Sequence, residues 1–229
     1  MKNVLPKKIN LGCGLNISSN WINLDASWNA RLAKHQFLRK ALKYFHLLPK
    51  RLAEIDWPQN IFIHDVRKKF LFENNCFSAV YSSHLLEHLY LEEAKELLAE
   101  CFRILEPGGV LRIVVPDFKT IIKEYDNLEK SNFSNAADII SKKIFIWESK
   151  PYHKNPIYKI YDAVNDFHSH KWMYDAESLI EYFKTAGFES AKEMKFLESR
   201  ISDIEEVESA SRVLNGEGIC IEGIKPKIL

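Results

Sequence analysis

The glycine pair Gly12-Cys13-Gly14 closes a short apolar run, Ile9-Asn10-Leu11, and Asp25 follows thirteen positions after Gly12. Glycine lacks a Cβ and tolerates positive φ, so this backbone admits a ligand at close range, although an ordinary turn has the same signature. No GxGxxG spacing is present, and the acidic residue comes earlier than the roughly twenty-residue gap of a dinucleotide fingerprint, which argues against a nicotinamide cofactor. Imidazoles supply the candidate acid/base chemistry. His84 follows the strand-like run 77–81 and has an intrinsic pKa suited to proton transfer near neutral pH; the alternative is that it caps or packs on the helix that follows. Glu87 and His88 in that helix read as structural. The other candidates are Asp117 and the pair His168 and His170. A His-x-His pair on a strand puts both rings on one face but supplies no further ligands, so no metal site is expected.

The elements that would position these residues alternate. Residues 8–11, 21–24 and 61–64 are short apolar runs, the last two followed by Asp25 and Asp65; 77–81 and the β-branched run 109–115 read as two more strands, and 219–224 as the last. Residues 91–105 form an amphipathic pattern, and 175–186 a second, with Asp175 as N-cap and Gly187 as the C′ glycine. Alternation of this kind predicts an α/β fold with a mostly parallel sheet and helices on both faces. Ligands of such sheets sit at the carboxyl ends of the strands, where Gly12, Asp25, Asp65, Ser82 and Asp117 all fall.

The chain has 229 residues, and its 32 Lys and Arg nearly balance its 31 Asp and Glu, so there is no overall basic field to attract nucleic acid. The four cysteines lie far apart with no CxxC pair, which fits reduced thiols, and the N-terminal lysines precede no apolar run long enough for a signal or an anchor. A cytoplasmic protein is expected.

Five segments stand in an order that resembles the class I, Rossmann-like methyltransferases that use S-adenosylmethionine: the glycine loop, Asp25, His64-Asp65-Val66, the stretch Ser82-Ser83-His84-Leu85-Leu86-Glu87-His88, and Arg103-Ile104-Leu105-Glu106-Pro107-Gly108-Gly109. The resemblance covers about the first half of the chain, and it implies a Rossmann-like, mostly parallel sheet of seven strands with the last antiparallel. It implies S-adenosylmethionine as cofactor, with Asp25 accepting from the ribose hydroxyls, Asp65 from the adenine amino group, the Val66 N–H at an adenine nitrogen, and Asn10, Gly12, Cys13, Gly14, Ser82 and Ser83 alongside. A turn cap at Asp25 and an Asx turn at Asp65 are the alternatives. Asn10 stands where the family usually has an acidic residue, and Asn16 replaces a third glycine. Only six residues separate Gly14 from Trp21, too few for a full first helix.

A single domain over 1–229 is expected, with insertions at about 28–56 and about 127–165 around the substrate mouth. The second is rich in aromatics and reads as a substrate cap. In the first, residues 27–53 carry seven basic residues and no acidic one, and positions 30–48 have the spacing of one amphipathic basic helix. It either docks on the core with a solvated basic face or serves as a lid or membrane-surface contact. The resemblance implies methyl transfer to a hydroxyl of a small molecule or glycan, with His84 or a neighbouring His assisting deprotonation. Relatives of this short-loop branch point to polysaccharide biosynthesis; the alternative is a non-catalytic S-adenosylmethionine-binding scaffold or regulator.

Overall fold

The computed structural model describes residues 7–45, 47, 55, 57–131, 133–144, 169–214 and 218–227. The strands are β1 (Lys8–Leu11), β2 (Ile22–Asp25), β3 (Phe62–Ile63), β4 (Phe77–Ser83), β5 (Leu105–Pro116), β6 (Glu189–Met194) and β7 (Gly218–Ile224). They form one seven-stranded sheet in the order β3-β2-β1-β4-β5-β7-β6. Pairing is parallel from β3 to β5, and β7 runs antiparallel to both β5 and β6. This is the expected α/β class. The expected strands are present, while β6 (ESAKEM) was not expected. Its residues alternate without an apolar face because it is a sheet edge, exposed along most of its length.

The helices are α1 (Trp28–Ala33), α2 (Gln36–Tyr44), α3 (Leu91–Ile104), α4 (Phe118–Lys130), α5 (Ala136–Lys143), α6 (Ala176–Thr185) and the single turn α7 (Ala210–Val213). In α3, Ala94, Leu97, Leu98, Cys101 and Ile104 recur at helical spacing and are buried. They pack with Leu179 and Phe183 of α6 and with Ile9, Leu11 and Leu24 on one face of the sheet. Asp175 caps α6 through the Ser178 N–H at 2.8 Å, and Gly187 follows with φ +98°, as the cap signals predicted.

On the opposite face, the short connection between β1 and β2 holds no helix. Residues from the C-terminal third cover that area: Ile201, Ile204, Val207 and Val213 pack on Trp21, Ala79, Tyr81 and Val114. Ser18 Oγ and Asn20 Nδ2 donate to the Glu206 carboxylate at 2.6 and 2.7 Å, and Asn16 Nδ2 donates to the Val207 carbonyl. Arg112 on β5, fully buried, pins the same segment through Glu208 at 2.7 Å and also meets Glu222 of β7 at 2.9 Å.

The single basic helix expected over 30–48 is instead two helices. Lys34 ends α1, and His35, with φ −114° and ψ 67°, is the N-cap of α2. Ala30 and Ala33 dock α1, whereas α2 buries no residue and leaves Phe37 and Tyr44 exposed. Most of the second insertion, with Phe145, Trp147, Tyr152, Tyr158 and Tyr161, lies outside the described residues, as does His168.

Candidate active site

A cavity of about 530 Å³ opens at the carboxyl ends of β1, β2 and β4, within the usual range for small-ligand sites. Gly12, Asp25, Asp65, Val66 and His84 share its wall. The same wall includes residues that motif reasoning missed, among them Trp28, Trp57, Arg67, His88 and Arg212. Trp57 stood in a segment with no periodicity, and Arg212 arrives from a helical turn near the far end of the sequence, so neither carried a local signal.

The glycine loop is built as its residue types require. Gly12 and Gly14 have φ +65° and +55°. A Cβ on Gly12 would meet Leu85 side-chain atoms at 3.1–3.2 Å, whereas one on Gly14 would meet nothing within 4 Å. Asp25 fastens the loop by accepting the Gly14 N–H at 3.0 Å on one oxygen and the Ser27 N–H at 2.7 Å on the other. Each carboxylate oxygen has a second acceptor position, so the turn-cap reading and a ligand role are compatible at Asp25.

Asp65 is engaged by its neighbour. Arg67 Nε and Nη2 donate to its two oxygens at 2.9 and 2.7 Å, and the Arg67 N–H adds the Asx-turn bond at 3.1 Å. The Arg67 contact holds the Asp65 carboxyl below the usual carboxylate range. The Asx turn considered from sequence is thus present, on the cavity wall beside Val66.

Other expected site residues have structural duties. Asn10 is buried and donates to the Asn16 carbonyl at 2.9 Å, which braces the loop from beneath. Cys13 packs with Ala30 and Ile61, and burial pushes its thiol up to about 12. Ser82 Oγ donates to the Leu11 carbonyl at 3.2 Å between strands, and Ser83 ends β4 with its hydroxyl buried. None of these four, nor Gly14, lines the cavity. Asp117, a catalytic candidate in the sequence, has a capping duty. Its carboxylate caps α4, accepting the N–H groups of Lys119 and Thr120 at 3.1 and 3.2 Å and the Thr120 hydroxyl at 2.6 Å, and it too is absent from the cavity wall.

His84 sits at φ +53° where β4 ends, its N–H donating to the Val114 carbonyl at 2.9 Å. Its Nε2 is 2.8 Å from the Arg212 carbonyl, and its Nδ1 is 3.1 Å from Glu87 Oε1 without hydrogen-bond alignment. Both ring nitrogens therefore face acceptors, an arrangement that favours the doubly protonated ring. Burial opposes that charge, but the Glu87 contact outweighs it and raises the His84 pKa above its usual value. Burial likewise resists ionisation of Glu87, and His84 overcomes it, leaving the Glu87 pKa lowered. As it stands, His84 is a donor on the cavity wall, with no lone pair offered to a substrate proton. His170 lies next to this pair, its ring centroid 5.0 Å from that of His88, and burial brings its pKa down to about 4, so the ring is neutral at pH 7.

Residues 9–113 match the family model described as the methyltransferase domain. That stretch is similar to methyltransferase domains. No curated protein matches the chain in sequence. Among solved structures, the chain is similar to an S-adenosylmethionine-dependent methyltransferase of Thermotoga maritima, with 17% identity, 96% of this chain and 81% of that one covered, and a TM-score of 0.48. It is also similar to one of Archaeoglobus fulgidus, with 16% identity, 95% and 85% covered, and a TM-score of 0.47.

The cavity suits S-adenosylmethionine, the cofactor that the sequence resemblance implies. Trp57 Nε1–H is buried on its wall with no acceptor among the described residues, and a Cβ on Gly12 would crowd the Leu85 side chain on the same wall. Asp25 would hold the ribose hydroxyls, and the Asp65–Val66 turn the adenine edge. The bound cofactor supplies a methyl group already activated on a sulfonium, so what remains for the chain is to hold an acceptor in line and manage one proton.

Proposed function

We propose that this chain transfers a methyl group to a hydroxyl of a small molecule or glycan. The observation that carries this reading is the order of the cavity wall, which follows the sheet: Asp65 after β3, Asp25 at the end of β2, Gly12 after β1 and His84 after β4. His84, protonated by its Glu87 contact, would place a positive charge beside the acceptor's oxygen and help to keep it in line. A sugar is the preferred acceptor, which fits a role in polysaccharide biosynthesis. The test is incubation with methyl-labelled S-adenosylmethionine and matched panels of sugars, nucleotide sugars and amines. Base-stable ether products support the reading; label only in amines, or failure to bind S-adenosylhomocysteine, sinks it.

One further observation supports a membrane-surface contact as part of this function. Helix α2 buries no residue, and it exposes Phe37 (92%) and Tyr44 (79%) on a segment that also carries Arg39, Lys40 and Lys43. Aromatic and basic residues on one such helix suit an anionic lipid surface, which would bring the domain to a lipid-linked acceptor. No helix among the described residues is long and apolar enough to cross a membrane. Flotation with anionic vesicles, lost when Arg39, Lys40 and Lys43 become alanine, is the expected result; failure of the wild type to float overturns it.

A further inference from the structure

Beside the cavity, the 3-10 turn Leu86–His88 meets the segment that carries His170. Glu87, His88 and His170 each bring one ligating atom to a common place, all within 4.8 Å of one another. The segment is tied there by the backbone, since the N–H groups of Lys171 and Trp172 both donate to the Glu87 carbonyl, at 2.7 and 3.2 Å.

The Glu87 carboxylate is the telling member. Its side chain is 1% exposed, and neither of its oxygens has a hydrogen-bond partner among the described residues. Buried carboxylates normally accept several hydrogen bonds, because desolvating the charge is otherwise costly. His84 balances the charge from 3.1 Å, and a carboxylate oxygen of Glu87 lies within 4.8 Å of a ring nitrogen of both His88 and His170. His88 Nδ1 lies 3.3 Å from the Ser169 carbonyl. That acceptor calls for a proton on Nδ1, which makes Nε2 the nitrogen that would ligate. A carbonyl fixing one ring nitrogen so that the other can ligate is the usual outer support of a metal-binding histidine.

We propose that Glu87, His88 and His170 bind a divalent transition-metal ion of the zinc class. Two imidazoles and one carboxylate suit such an ion, whereas calcium and magnesium call for all-oxygen sets. Metal–ligand bonds of about 2.0–2.2 Å place donor atoms roughly 3–4 Å apart, so closure from the present spacing needs only side-chain rotation. The sequence offered His168 as the partner of His170 and no further ligand. The structure draws the other two from a different element. Because His88 also lines the cavity, a bound ion would lie beside the acceptor's place. Resting on the hydroxyl reading above, a coordinated hydroxyl loses its proton to solvent more readily, which supplies the deprotonation that His84 is not arranged to perform.

The test uses the full chain, stripped with a chelator and titrated calorimetrically with zinc chloride, then loaded with cobalt for absorption and X-ray absorption spectroscopy. One ion per chain is expected, with two imidazoles in the cobalt shell and at least about tenfold weaker binding in His88→Ala and His170→Ala. His35→Ala, on an exposed cap away from the cavity, keeps full affinity. No stoichiometric binding by the stripped wild type, a cobalt shell without two imidazoles, or undiminished binding in both variants overturns the site. The wild-type spectrum decides the matter if a variant misfolds by circular dichroism. S-adenosylhomocysteine calorimetry on the stripped protein separates the two readings: cofactor binding without metal binding sinks only the metal site, and the reverse sinks only the methyl-transfer reading.

Discussion

His84 Nδ1 stands 3.1 Å from Glu87 Oε1 across one turn of chain, with Glu87 sealed inside and His84 on the cavity wall. The two shifts they impose on each other have opposite signs. The His84 pKa is raised from 6.5, so its contribution to stability is complete below 6.5 and is lost as pH rises through the folded value. The Glu87 pKa is lowered from 4.5, so its contribution is present above 4.5 and is lost as pH falls through the folded value. In chelator-stripped His170→Ala, where the lowered imidazole pKa that costs stability between pH 6.5 and about 4 is removed, the thermal midpoint should therefore hold a plateau spanning at least 4.5 to 6.5 and decline on both sides. Glu87→Gln should move the His84 imidazole titration, followed by NMR, to lower pH. An unmoved titration would show that Glu87 does not set the charge on His84.

Asp25 braces the glycine loop and faces the cavity, so two of its substitutions separate these duties. Asp25→Ala should weaken S-adenosylhomocysteine binding by about 10- to 100-fold, the worth of charge-assisted hydrogen bonds at roughly 1.5–3 kcal/mol. It should also destabilise the chain by freeing the Gly14 and Ser27 N–H groups. Asp25→Asn keeps one acceptor oxygen and should recover more of the stability than of the affinity. Calorimetry beside thermal unfolding reads both; equal recovery of the two would confine Asp25 to the loop.

The two glycines of the loop should fail differently. Both sit at positive φ, so alanine costs about 1–2 kcal/mol at either place. Gly14→Ala meets open space and should lose little beyond that strain. Gly12→Ala drives a methyl into Leu85, itself on the cavity wall, and should lose cofactor affinity as well. Denaturant unfolding and S-adenosylhomocysteine titration of both variants check this; equal affinity losses would contradict it.

What the sequence disclosed follows from how far each signal reaches. Strand runs, the helix 91–104 and the Asp175 and Gly187 caps are set by neighbours within a few residues, and these matched. Asp117 looked catalytic because it ends a strand, but the same position is also a helix N-cap, and the cap claimed its carboxylate. The basic segment shows the limit of periodicity, since a stripe at helical spacing does not reveal that Lys34 and His35 break it into one docked helix and one undocked. His88, Trp57 and Arg212 reach the cavity through tertiary packing, which no local window contains.

The same packing makes Arg112 the residue whose loss should propagate furthest. All five of its N–H donors are used: three on Glu208 and Glu222, and two on the carbonyls of Lys195 and Glu198 at 3.0 Å. Removing the cation leaves two buried carboxylates uncompensated, so Arg112→Met should cost about 3–5 kcal/mol. Arg112→Lys should rescue little, because an ammonium cannot reproduce the planar fork that spans both carboxylates. The segment released is the one that covers the clipped β1–β2 connection and delivers the Arg212 carbonyl to His84. Loss of cofactor affinity should accompany the loss of stability, and the His84 titration should shift in folded protein at low denaturant. Replacing Arg112, Glu208 and Glu222 together by apolar residues of similar volume should restore the urea midpoint but not Leu197, whose N–H donates to Glu208 at 2.7 Å. A single variant Arg112→Met with an unchanged midpoint would mean that the ion triad does not hold the segment.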